Sequence, residues 1–123
     1  MTIAQAMTTS FKVQLLQGVH NFFSGSGGGS ASTGATFKIA LYTSSATINA
    51  TTLVFSTTNE ASGTNYVSGG NTLVNVTPTN PSGTTAITDF GDTTWSTSTI
   101  TAHGALIYNS TQSNKSVAVL DFG

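Results

Sequence analysis

Apolar residues change their spacing once along this chain. From Ser10 onward Phe11, Leu15, Val19 and Phe22 or Phe23 recur every three or four residues, the period of one helix face. The spacing predicts a short amphipathic helix over 10–22 with Ser10 as its N-cap. Gly18 inside it costs about 1 kcal/mol relative to alanine, so the helix needs a surface to pack on. Residues 24–35 are entirely glycine, serine, threonine and alanine and read as a flexible linker. After that the period becomes two. In 36–43, Phe37, Ile39 and Leu41 fall on one face of a strand and Ala40 and Tyr42 on the other. Further strands are expected at 53–56, 72–76, 86–90, 93–96, 99–109 and 116–122. Turn clusters at 59–64, 68–71, 78–83 and 109–114 separate them. The pattern predicts a mainly β protein, an antiparallel β-sandwich or small barrel with one short N-terminal amphipathic helix. Its parts are an N-terminal arm and helix (1–23), the linker (24–35) and a β domain (36–123).

Charge narrows the possible partners. Only 6% of residues are charged, against ~25% in ordinary globular proteins, and the net charge is -1. The cations Lys12, Lys38 and Lys115 are scattered, so the clustered basic surface that nucleic acid or an anionic membrane requires is missing. Serine and threonine make up about a third of the chain, which suits a β domain of small side chains. Cysteine is absent, which excludes disulfides, thiolate metal sites and cysteine nucleophiles. No apolar run approaches the ~20 residues of a membrane span. The first ten residues lack the basic and apolar regions of a secretory signal, so folding in a cytoplasm is expected.

Catalysis has few candidates. A nucleophilic triad needs a histidine held by a carboxylate beside a serine, and the histidines, His20 and His103, stand apart with no G-x-S-x-G turn. Asp89 and Asp92 flank Gly91, yet a hard-cation site needs three or more oxygen ligands and the surroundings offer few carboxylates. The pair reads as a solvated turn. No catalytic residue, metal or cofactor is expected. Trp95 is expected in the core. Tyr66, in a Gly/Ser/Asn-rich loop, is the best candidate for a recognition residue.

Several longer stretches carry a resemblance. The run from Ser10 through Phe22 and the strand 36–46 resemble the opening of a family of small virion proteins of tailed bacteriophages, common in environmental phages. Similar phrases continue at 58–66, 69–73, 93–95, 100–110 and 114–122, so the resemblance covers most of the chain. It implies a structural part of a virion and no assigned position in the particle. The chain departs from these relatives in its longer 24–34 connection and in carrying His103 where they often carry arginine.

Together these readings lead to a bacteriophage virion structural protein, expected as a capsid decoration or cement protein on the particle exterior and as a homo-oligomer. Its partners would be other virion proteins, the major capsid protein or tail proteins. The alternative is a tail or fibre component contacting the host surface. An enzyme acting on host polysaccharide is disfavoured, because such hydrolysis needs two placed carboxylates and the chain has only Glu60, Asp89, Asp92 and Asp121. Assembly is expected to use the helix residues Phe11, Leu15, Val19, Phe22 and Phe23. It is also expected to use the strand of Val117 and Val119, whose edge another chain or the N-terminal segment would cover.

Overall fold

A computed structural model describes residues 2–28 and 32–123. In chain order the elements are β1 (Ala6–Met7), α1 (Thr9–Leu16), β2 (Ser26–Gly28), β3 (Ser32–Thr33), β4 (Phe37–Tyr42), β5 (Gly63–Thr64) and β6 (Asn71–Thr72). They continue with β7 (Asn75–Ser82), β8 (Thr85–Phe90), β9 (Thr99–Ile100), β10 (Gly104–Asn109), a 3-10 turn at Ser110–Gln112, and β11 (Lys115–Asp121). The protein is mainly β with antiparallel strand pairing and one short helix, sandwich-like, and its main sheet does not close into a barrel.

That sheet has the order β1-β11-β10-β4-β6. Alternation along β4 divides the core between its faces, as the sequence predicts. Phe37, Ile39 and Leu41 join Phe11, Phe22, Leu73, Ala105 and Val117 on one face. Ala40 and Tyr42 join Ala46, Ile48, Leu106, Tyr108 and Val119 on the other. Both faces are therefore covered. The helix and the residues after it lie on the first, and residues 46–55 on the second.

Val117 and Val119 depart from simple alternation. The β10–β11 register slips between Ile107, opposite Ala118, and Tyr108, opposite Ser116, so Val117 is an extra residue in a bulge. The bulge turns the two valines to opposite faces, and each is buried within its own subunit. The outer edge of β11 is occupied as well. Ala6 pairs with Val119 and Met7 with Ala118, and the Thr8 N–H donates to the Val117 carbonyl at 3.0 Å. Of the two coverings expected for this edge, the chain's own N-terminal segment provides it. The two valines are thus core residues rather than an interface.

The helix is shorter than its period predicts, and starts earlier. Thr8, not Ser10, is the N-cap, with its hydroxyl accepting from the Phe11 N–H. Thr8 is selected by a tertiary partner, the buried Ser116, whose hydroxyl donates to it at 2.9 Å. Gly18 ends the helix with φ +71°. Its N–H donates to Leu15 and the Val19 N–H to Gln14, a glycine-dependent stop that satisfies the last carbonyls. Residues 19–22 therefore lie beyond the helix.

Other boundaries shift. Residues 53–56 and 93–96 form no strand, although Val54 makes one bridge to Lys115. The predicted 99–109 strand splits in two: β9 pairs with β5, β10 lies in the main sheet, and His103 sits in the break. Part of the expected linker runs as a small ribbon, Ser26 opposite Thr33 and Gly28 opposite Ser32, while 29–31 lie outside the described residues. The expected turn at 78–83 is mostly strand. β7 runs through Pro78 and Pro81, its register against β8 slips twice, and only Gly83 adopts a positive-φ turn conformation.

Candidate assembly surfaces

The N-terminal segment is anchored by rings. Phe22 stacks on Phe37 with centroids 4.4 Å apart, Phe11 meets Phe22 edge-on at 5.9 Å, and Phe90 leans on Phe37 at 5.5 Å. Stacked and edge-to-face pairs of this kind contribute about 0.5–1.5 kcal/mol each beyond the area they bury. His20 lies within the cluster, 5.0 Å from the Phe11 ring. Both of its ring nitrogens are engaged, Nε2 with Gln14 Oε1 at 2.8 Å and Nδ1 with Asn109 Nδ2 at 3.0 Å. Burial, and then the Lys115 charge, hold its pKa below the ordinary value. It is a buried connector between the helix and β10.

The predicted helix stripe is buried only in part. Phe11 and Phe22 are buried, Val19 and Phe23 are half-buried, and Leu15 is exposed. Leu16, at 92% exposed, and Val13 face outward on the same short helix.

Tyr66 is not a free recognition side chain. Its hydroxyl donates to Glu60 Oε1 at 2.7 Å and accepts from the Leu41 N–H at 2.9 Å, and its ring lies against Trp95. Burial above all, and the Glu60 carboxylate with it, push its pKa upward. Glu60 also accepts from Ser68 Oγ at 2.7 Å and from the Gly69 N–H at 2.6 Å. One carboxylate thus gathers the 60–69 loop against β4. No spacing in the sequence marks Glu60 for this role, since its partners converge only through the fold.

Among the described residues no three His, Asp or Glu side chains come together as metal ligands. Asp89 and Asp92 are exposed, and Asp89 accepts from the Phe90 N–H at 2.8 Å. His103 is exposed, and its backbone bonds Tyr42 and Phe122. A cleft of about 330 Å³ between Phe23, Gly34, Ala35, Leu73 and Asn75 is lined by no titratable side chain. A second, of about 280 Å³, holds Tyr42, whose hydroxyl donates to the Ser56 carbonyl at 2.6 Å. Burial pushes that phenol up to about 12, so it stays protonated at physiological pH.

What the molecule does present is an arm. Among the described residues β7 and β8 pair only with each other, and residues 78–89 are exposed throughout. Its base is fixed. Asn75 donates to the Ala35 and Phe23 carbonyls at 2.8 and 3.2 Å, and the Gly91 N–H donates to Val74. At ~3.3 Å per residue the eight-residue β7 spans about 25 Å. Asp89 is the arm's one charge, and Val76 and Ile87 are exposed apolar residues on it.

Compared with models of protein families, with curated proteins and with solved structures, the chain matches none of them.

Proposed function

We propose that this chain is a structural component of a tailed-bacteriophage virion, a decoration or cement protein seated on the capsid exterior as a homo-oligomer. The observation that carries the reading is the projecting β7–β8 arm, anchored at its base and nearly uncharged. A two-stranded ribbon is marginal in water by itself, so such an arm is best accounted for by a neighbouring chain that packs on it. The resemblance of the chain to small virion proteins supplies the setting. A net charge of -1 gives little protection against association, which suits a symmetric shell better than a free monomer. The tail or fibre alternative relied on a free loop aromatic, and the Tyr66 hydroxyl is tied to Glu60 and Leu41.

Copy number tests this. Quantitative mass spectrometry of purified particles is expected to find the chain in numbers of the same order as the major capsid protein. A handful of copies per particle, or none, would refute the reading.

A further inference from the structure

We infer that the outer edge of β8 is a self-pairing surface, at which two copies of this chain join their arms into one four-stranded antiparallel sheet. The inference rests on the homo-oligomeric part of the function proposed above and not on the capsid.

The arm's two edges are unlike. β7 carries Pro78 and Pro81, which have no N–H to donate, and two register slips, all features that blunt a strand edge. β8, Thr85–Phe90, has no proline, and at each slip the extra residue lies on β7. The Gly91 N–H points across the arm to Val74, which sets the phase of the ladder. Alternate residues then turn outward: Phe90, Thr88 and Ala86. The Phe90 N–H is already taken by the Asp89 carboxylate at 2.8 Å. Thr88 and Ala86 are left with outward N–H and C=O groups and, among the described residues, no bond from any other element.

These two residues are related by a symmetric rule. If Ala86 of one copy faces Thr88 of another in an antiparallel pair, the second Ala86–Thr88 pair forms by the same two-fold axis, and the interface is isologous. The axis then passes beside Ile87. This residue is 45% exposed and would meet its own copy at the close, non-hydrogen-bonded spacing of ~4.5 Å between Cα atoms. In the same register Asp89 faces Thr85, so the Asp89 carboxylates of the two arms do not oppose each other. The blunted β7 edges lie outermost, so pairing closes at two arms and does not extend into a fibre. A second copy is therefore the occupant to which the donor phase, the apolar centre and the charge placement all conform.

The absence of cysteine makes the test direct. An Ile87→Cys variant of the full chain carries one thiol at the proposed axis, where the Cα spacing suits a disulfide. Under mild oxidation it is expected to form a linked dimer about tenfold faster than Val67→Cys, a thiol at an exposed site away from the arm, because pairing raises its effective concentration. Sedimentation is expected to show the unmodified chain as a dimer. Ile87→Lys, which sets two ammonium groups face to face, is expected to be a monomer that keeps the circular dichroism spectrum of the unmodified chain. Equal oxidation rates at the two sites, or an Ile87→Lys protein that remains dimeric, would overturn the inference. Both results are independent of how many copies a particle carries.

Discussion

The side-chain amide of Asn109 donates to Nδ1 of His20 across 3.0 Å, joining the end of a central strand to the residues just past the helix. The direction of this bond is fixed from the far side. Asn109 Oδ1 accepts the N–H groups of Thr111 and Gln112 at 3.1 and 3.2 Å, so the amide nitrogen must face the ring. The network thereby assigns the histidine proton to Nε2, which donates to Gln14. A second proton on Nδ1 would set two donors against each other.

Stability should therefore depend on this histidine. Its folded pKa lies below the unfolded value of 6.5, by burial first and the Lys115 charge second. As pH falls through about 6.5 the unfolded chain takes up a proton that the folded chain refuses, so stability is full above that pH and declines below it. The decline ends once pH passes the folded group's lower pKa. Thermal melts between pH 8 and 5 should show a falling Tm for the unmodified chain and a flatter curve for His20→Gln. Parallel curves would exclude His20 as the source.

Phe11→Ala should destabilise the protein by about 3–5 kcal/mol, as expected for a buried phenylalanine that touches several rings. Leu16→Ala on the same helix should change stability by no more than about 0.5 kcal/mol. Removing residues 1–23 should abolish the cooperative melt, because it strips Phe11, Phe22 and the strand covering β11 together. A truncated chain that melts like the full one would contradict the anchoring role. Urea titration of the point variants gives the numbers.

Tyr66→Phe should cost about 1–3 kcal/mol, since it leaves the half-buried Leu41 N–H without its acceptor and takes away one of the two donors to Glu60 Oε1. The same change should leave binding to host cells untouched. If chemical denaturation shows no loss, Tyr66 is not the support described above.

Gly70→Ala should prevent folding or cost about 3 kcal/mol or more. Gly70 has φ +75°, and a Cβ there would collide with the Ile39 carbonyl where the chain passes β4. Circular dichroism of the variant beside the unmodified chain decides it, and a native spectrum with an unchanged melt would contradict the close approach.

Much of the fold was legible because β4 is buried on both faces and alternates cleanly, so Phe37, Ile39 and Leu41 separated from Ala40 and Tyr42 on sequence grounds. The helix stop at Gly18 was missed, because the apolar period runs past it and placed that glycine inside a helix over 10–22. Phe22 is buried by stacking on Phe37 and not by helical phase. The bulge at Val117 had no local signature, because it is set by β10 across the ladder. Pro78 and Pro81 read as a turn, whereas an exposed ribbon tolerates them at its register slips. Asn109 became important only through His20, far away in sequence, and Glu60 only through the way the 60–69 loop folds back on it, and no spacing could reveal either.

The proposed place on the outside of a shell is open to a cryo-electron reconstruction of purified particles that contain the chain. It should show density for this fold over the capsid surface, with arms meeting in pairs between neighbouring copies. Density confined to the tail, or a bare capsid surface on particles that contain the chain, would contradict it.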